Sequence, residues 1–328
     1  MAVLITGGAG YIGSHMVLNR VDAGEDVIVL DNLSTGFAWA VHPKATLVEG
    51  EAGDIDLVRR LVKEHDVDAI VHFAGSIVVP DSVRDPLGYY LNNTVTSRAL
   101  LEAAVKADVP HFIFSSTAAV YGMPDRSPVA EDDVLAPISP YGTSKLMTEI
   151  MLRDTAFAHD LSYVALRYFN VAGADPDWRS GQSTPRATHL IKVACQAAIG
   201  ERGHLDVFGT DYDTPDGTCI RDYIHISDLI DAHARALDHL RAGGDSKVLN
   251  CGYGRGFSVL EVIDAVKRAS NVDFPVNRAD RREGDPPQLI AGAERIREEF
   301  GWQPRYEDLD LIVRHALGWE RKLRDRAA

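Results

Sequence analysis

Cysteine is scarce in this chain, with three in 328 residues. Cys195, Cys219 and Cys251 stand far apart and show no CxxC spacing. That excludes a disulfide framework and predicts reduced thiols in a cytoplasmic protein, with no metal expected. Long apolar runs are also missing. None approaches the roughly 20 residues that a membrane helix needs, so no membrane partner is expected. Basic charge is in deficit: 34 Lys and Arg face 48 Asp and Glu, for a formal charge of −14. This balance excludes an extended nucleic-acid or anionic-membrane surface. It leaves room for a small anionic substrate held by a few focused arginines. There is no internal repeat or low-complexity tract, and the opening AVLIT reads as a strand rather than a signal peptide.

What is present is ordinary in amount and informative in order. Hydrophobic residues make up 45% and charged residues 25%, as in a globular protein with a sizeable core. Short apolar runs predict strands over residues 2–6, 26–30, 46–49, 69–74, 111–115 and 162–169, with helices over 11–23, 92–106 and 141–159. Continuous apolar strands separated by helices imply a parallel sheet covered on both faces, with right-handed crossovers. The expected fold is α/β: a Rossmann-type doubly wound parallel sheet whose ligands lie beyond the C-terminal strand ends, with a smaller mixed α/β substrate lobe. Gly7, Asp31, Phe73, Thr117 and Phe169 all fall at such ends. Residues 172–186 are rich in Gly, Asp, Pro and Ser and read as loop. The division expected is a dinucleotide domain over 1–171, a mainly substrate-binding domain over 172–328, and a return of 218–243 to the first.

The segment TGGAGYIG follows the first strand and opens a helix. Gly7 can adopt dihedrals that other residues avoid, Gly10 lets the backbone approach a pyrophosphate, and Gly13 lets helix and strand pack closely. Tyr11 and Ile12 begin a helix whose free N–H groups and positive dipole end suit phosphates. The spacing is GxxGxxG rather than the general GxGxxG. Asp31 ends the second strand, where a carboxylate accepts both adenosine ribose hydroxyls and repels a 2′-phosphate, so the expected cofactor is NAD. Asn32, Leu33, Ser34, Thr35 and Gly36 are expected to line the same ribose. Asp54 and Ile55 either flank the adenine or belong to a solvated loop.

Tyr141 and Lys145, in SPYGTSK, are four residues apart and share one helix face. An ammonium there favours phenolate and lowers the tyrosine pKa; it can also hold the nicotinamide ribose. Thr117 closes the fifth strand and can hydrogen-bond a substrate oxygen, with Ser115 and Ser116 as competitors. Alternation along a strand puts Thr117 and Ser115 on one face.

In order, TGGAGYIGSH, LDNLSTG, HFAG, PLGYYLNN, FSSTAAVYG, SPYGTSKLMTE, LRYFNVAGA, FGTDYDTPDGTCIRDYIHISDL and RREGD resemble the extended short-chain dehydrogenase/reductase family over nearly the whole chain. The likeness is closest to its nucleotide-sugar epimerases. It implies NAD and a UDP-hexose inverted at C4 through a 4-keto sugar, with Thr117, Tyr141 and Lys145 as the catalytic set. It implies that Phe73, Ala74, Gly75, Asn92 and Phe169 surround the cofactor. It implies that Asn170, Arg221, Arg282 and Asp285 grip the UDP-sugar, that Val207 and Phe208 lie beside the uracil, and that His189 and Leu190 lie near the substrate. Arginine suits a diphosphate because its fork is permanently charged. Read without the resemblance, Arg221 and Arg282 are surface ion-pair partners of Asp222 or Glu283.

Two positions depart from the family pattern. Ser76 and Ile77 follow HFAG where a lysine is usual, which removes a cationic contact to the cofactor. Leu289 stands where some members carry a bulky tyrosine, which leaves room for a UDP-N-acetylhexosamine. Sibling dehydratases carry an Asp-Glu pair after the catalytic threonine, whereas here Ala118 and Ala119 follow. The remaining alternatives are an epimerase of UDP-pentoses or UDP-uronates and a non-catalytic NAD-binding sensor. Members of the family are usually homodimers through helices including the one that carries Tyr141. Leu146, Ile150 and Leu152 serve either that contact or the core.

Overall fold

The computed structural model of the chain describes residues 1–184, 187–282 and 284–327. Its strands are β1 (Ala2–Thr6), β2 (Asp26–Asp31), β3 (Thr46–Glu49), β4 (Val67–His72), β5 (His111–Ser115), β6 (Ser162–Tyr168) and β7 (Asn170–Ala172). They continue with β8 (Leu205–Phe208), β9 (Ile220–His225), β10 (Lys247–Cys251), β11 (Gly256–Ser258), β12 (Val276–Ala279) and β13 (Gln288–Leu289). Seven of them form one sheet in the order β10-β6-β5-β4-β1-β2-β3, with every neighbouring pair parallel. The chain begins in the middle, winds out to β3, and crosses to β4 before winding the other way. That reversal opens a crevice at the C-terminal ends of β1 and β4. This is the expected Rossmann-type fold.

Successive side chains in these strands serve opposite layers. Val3 and Ile5 belong to one apolar layer, Ala2 and Leu4 to the other. Two-sided burial is the reason the strands read as unbroken apolar runs. A fully buried Leu or Ile, such as Leu4 or Ile5, contributes about 1.5–3 kcal/mol.

Local signals fix the helices that matter for the site. The helix Tyr11–Asp22 starts directly on the glycine turn. The helix Pro140–Ala158 is capped by Ser139, whose hydroxyl oxygen accepts from the Gly142 N–H at 3.2 Å. Pro140 sits in its first turn, where a missing N–H costs nothing. The helical stretch ending in Thr96–Lys106 contains a wider π-type turn over Tyr90–Val95, a distortion that often accompanies function.

The expected return of residues 218–243 needs correction. β9 pairs with β7, β11 and β13 in a smaller sheet and does not enter the large one. The helix Ile226–Arg241 does pack on the large sheet, against β5 and β6. The strand that completes that sheet is β10, beside β6. β9 is as long as β2 and β4, but Arg221 and Asp222 interrupt its apolar pattern, so the sequence does not signal which sheet it joins. β8 and β12 form a separate parallel pair in the same smaller lobe.

Candidate active site

A cleft of about 530 Å³ lies over the C-terminal strand ends. The glycine turn forms its floor. Gly7 has φ +71°, and a Cβ there would stand 2.6 Å from the Ala74 nitrogen. Gly13 would place a Cβ 2.1 Å from the Gly7 carbonyl oxygen. Both positions therefore exclude side chains for geometric reasons, and the turn stays bare for an anion at the helix N-terminus. Gly10, Tyr11 and Ile12 join them on the wall. At the other end, the Asp31 carboxylate accepts the Ala9 N–H at 2.9 Å and the Leu33 N–H at 2.8 Å. Each of its oxygens keeps a free lone pair toward the cleft, where a ribose diol would sit. The donors and acceptors present fit a dinucleotide.

Asn32, Ser34, Thr35, Gly36, Phe73, Ala74, Gly75, Asn92, Phe169, Asn170 and His189 also line this cleft. Leu33 is not on its wall; its positive φ of 56° carries the chain around the turn. Asp54 and Ile55 lie off the wall as well. Asp54 caps the helix Ile55–His65 by accepting the Leu57 N–H at 3.0 Å, and Ile55 packs into the core. Glu51 and Ala52 line the cleft instead, and the Glu51 carboxylate accepts from the Asn32 amide at 3.2 Å. Asp54 Oδ1 is thus engaged as a helix cap, while Glu51 and Ala52 bring the same loop to the cleft wall.

Ser76 is held from two sides. Its N–H donates to Asn93 Oδ1 at 2.8 Å, and the Asn92 amide donates to its hydroxyl at 2.8 Å. The wide turn in the helix presents both asparagines to this segment. Tyr89 secures the next residues, donating to the Val78 carbonyl at 2.7 Å and accepting from its N–H at 2.9 Å. Sequence reasoning passed over Tyr89, although it stands in the PLGYYLNN motif, and over Tyr168, which also faces the cleft.

Thr117, Tyr141 and Lys145 meet on one wall, all at least nine-tenths buried. Burial raises the Tyr141 pKa, and a hydrogen bond from Thr117 opposes that shift. Burial lowers Lys145 to about 8. The Lys145 ammonium donates to the Ser115 carbonyl at 2.9 Å and lies 5.0 Å from the centre of the Phe114 ring. For Tyr141 burial is the larger influence, and Thr117 is the neighbour that favours phenolate. Ser115 Oγ bonds the Tyr168 hydroxyl and Ser116 Oγ bonds Glu149, so neither competes with Thr117. Glu149 is further fixed by a buried ion pair with Arg167 at 2.7 Å. Both residues stand inside quoted motifs, SPYGTSKLMTE and LRYFNVAGA, yet composition alone gives no sign of their pairing.

The remaining predicted residues gather elsewhere. Leu190 lines a small side cavity with Tyr11, Asn170 and His189. Val207, Phe208, Arg221, Arg282 and Asp285 lie off the wall of the large cleft, in and beside the smaller sheets, and two pairs among them are in contact. The Arg282 guanidinium lies 3.8 Å from the centre of the Phe208 ring. Arg221 donates to the Pro286 carbonyl at 2.8 Å and pairs with Asp285 at 3.4 Å. Its expected alternative partner, Asp222, is occupied by the backbone N–H groups of Tyr253, Gly254 and Ala291 and is raised to about 6 by burial. Glu283, the alternative partner of Arg282, lies outside the described residues. Among the described residues, no cluster could hold a metal ion and no helix is long and apolar enough to cross a membrane.

Residues 3–252 match the model of the NAD dependent epimerase/dehydratase family. The chain is 60% identical to a UDP-glucose 4-epimerase of Azospirillum brasilense, over 98% of this chain and 92% of that one. Among solved structures it resembles UDP-glucose 4-epimerase from Brucella ovis in complex with NAD, at 44% identity and TM-score 0.94 over 97% of each chain. It also resembles the UDP-Glc/GlcNAc 4-epimerase of Campylobacter jejuni, at 50% identity and TM-score 0.86 over 98% of this chain and 99% of that one.

Proposed function

The chain belongs to the NAD dependent epimerase/dehydratase family, and we propose that it interconverts UDP-glucose and UDP-galactose by inverting C4 of the hexose. The observation that carries this reading is the meeting of Thr117, Tyr141 and Lys145 on the wall of a cleft that begins at a bare glycine turn. When bound in this cleft, NAD would supply a hydride acceptor for C4 that can return the hydride. Tyr141 takes the C4 hydroxyl proton and later gives it back. Thr117 orients the same oxygen, and its hydrogen bond offsets part of the burial cost of a phenolate. Lys145 holds the nicotinamide ribose. Gly7, Gly10, Tyr11, Ile12 and Gly13 hold the pyrophosphate, and Asp31 holds the adenosine ribose. Arg221, Arg282 and Asp285, with Val207 and Phe208, grip the UDP end, while Asn170, His189 and Leu190 lie near the sugar. Firm binding at the UDP end and loose binding of the hexose let the oxidised sugar present either face, so remote binding energy positions the reacting carbon.

Ala118 and Ala119 speak against dehydration, because no carboxylate stands there to eliminate water. The test is incubation of the purified protein with UDP-galactose and no added NAD. UDP-glucose should form; protein that carries NAD and forms none is a sensor.

A second substrate class is favoured by Leu289. It lies in β13, in register with Arg221 and packed partly against the core. Leaving this position small accommodates a 2-acetamido group, and the Campylobacter jejuni relative is named for both UDP-Glc and GlcNAc. Leu289→Tyr should lower turnover of UDP-N-acetylglucosamine at least about tenfold relative to UDP-glucose, the effect of overfilling a packed pocket. Equal losses on both substrates would remove Leu289 from the sugar pocket.

The protein acts in the cytoplasm as a homodimer. Val83, Leu87, Leu91 and Val95 recur every four residues and are all more than half exposed. On the helix that carries Tyr141, Met147 and Ile150 are exposed and Phe157 is 95% exposed, whereas Leu152 is fully buried and Leu146 packs against the core. Ile150 therefore serves the contact and Leu152 the core. A monomer at micromolar concentration would contradict this.

A further inference from the structure

An enzyme that oxidises and then reduces the same sugar must not lose its cofactor halfway. Release between the two steps strands a reduced cofactor and a keto sugar, so retention is part of the chemistry. The C-terminal helix Leu309–Ala327 lies beyond the residues that match the family model, yet it touches two segments that continue into the walls of the dinucleotide cleft.

On one side is the segment from Gly173 to Thr184. It crosses the start of the helix Tyr11–Asp22: the Tyr11 hydroxyl donates to the Gly173 carbonyl at 2.8 Å, and the Ser14 and Ser180 hydroxyls bond at 2.6 Å. Its far end puts Gln182 and Thr184 on the cleft wall. The C-terminal helix pins this strap at three points. Trp319 Nε1 donates to Ser183 Oγ at 3.2 Å, and Lys322 donates to the Trp178 carbonyl at 2.7 Å. Glu320 pairs with Lys192 at 2.5 Å, and Lys192 also donates to the Gln182 carbonyl at 2.8 Å. Both members of that pair are more than nine-tenths buried, so each depends on the other for its charge. The surfaces interlock as well. A Cβ on Gly181 would stand 2.4 Å from the Trp319 ring, and one on Gly318 would stand 2.8 Å from the Trp178 ring.

On the other side is the loop that carries Thr35 and Gly36, at the adenosine end of the cleft. Phe37 follows, anchored by its N–H to the Ala9 carbonyl at 3.0 Å, and its ring stacks on Trp39 at 5.2 Å. The helix reaches this loop twice: Trp319 approaches Trp39 at 6.4 Å, and the Arg326 guanidinium lies 4.0 Å from the Trp39 ring centre.

We infer that the C-terminal helix is a clasp that joins the strap to the adenosine loop and sets how long the dinucleotide stays bound. Trp39, Trp319, Arg326 and the Lys192–Glu320 pair are its positioning residues; none lies on the wall that faces the pyrophosphate. The inference rests on NAD occupying the cleft.

The test is an exchange experiment on the holoenzyme. Protein loaded with radiolabelled NAD is chased with a large excess of unlabelled NAD, and retained label is followed with time. Trp39→Ala, on a half-exposed side chain, should speed loss of label about tenfold, the loss of an aromatic and a cation–π contact. Arg326→Ala touches nothing in the cleft and should speed it about threefold. The double variant should match Trp39→Ala alone, because Arg326 reaches the loop through the Trp39 ring, which Trp39→Ala already removes. If folded Arg326→Ala and Trp39→Ala protein exchange label at the wild-type rate, the clasp is wrong. If Arg326→Ala exchanges normally and only Trp39→Ala is fast, the loop acts locally and the clasp is again wrong. Wild-type protein that retains no label would overturn the NAD premise itself, a distinct result.

Discussion

Tyr141→Phe is expected to lower turnover at least about a hundredfold, the low end of what removing a positioned acid/base costs, while the protein keeps its fold and its NAD. The ring of Tyr141 is buried against the cleft wall, and phenylalanine preserves that packing. Only the oxygen is lost, and with it the hydrogen bond from Thr117. Under the proposed binding, with the substrate gripped mainly at its UDP end, KM should change little and the effect should fall on kcat. Near-normal turnover would remove Tyr141 from proton transfer. An equal loss accompanied by unfolding would mean that the hydroxyl supports structure instead, which circular dichroism and bound-NAD content separate.

Gly13→Ala is expected to empty the cleft. The new methyl group would stand 2.1 Å from the Gly7 carbonyl oxygen and 2.8 Å from the Gly7 carbonyl carbon and the Gly8 Cα. These are backbone atoms of the phosphate turn, which cannot swing aside as a side-chain tip can. The helix must move off the turn, which costs about 1–3 kcal/mol in packing and misdirects the N–H groups that face the pyrophosphate. NAD released on denaturing the purified variant should fall to less than about a tenth of one equivalent, a loss of that packing term expressed in binding. Full NAD content in Gly13→Ala would mean that the turn is only a tight connection and that the dinucleotide lies elsewhere.

The large sheet was legible because its inner strands are buried on both faces and read as continuous apolar runs. Its cofactor turn was legible because only glycine satisfies both the φ of Gly7 and the crowding at Gly13. The strand Lys247–Cys251 was not, since its apolar run is only Val248 and Leu249 between Lys247 and Asn250 and it lies at the sheet edge. The role of Asp54 was legible only in part. A carboxylate before a helix is a good cap, and Asp54 is one; nothing in composition separates that role from ligand binding, while Glu51 and Ala52 face the cleft. The order of charges at the reacting centre also needed coordinates. Spacing alone brings Tyr141 and Lys145 to one helix face, but the lysine turns toward the Ser115 carbonyl. The strap of residues 172–184 read as loop because its order comes from the C-terminal helix, more than a hundred residues away in sequence.

The most direct test of transient oxidation at C4 uses UDP-galactose deuterated at that carbon, incubated with purified protein and no added cofactor. The account predicts UDP-glucose that keeps the deuterium on C4 with inverted configuration, since the carbon recovers what it gave up within one closed site. UDP-glucose with the label exchanged for solvent hydrogen, or label accumulating in free NADH, would contradict it.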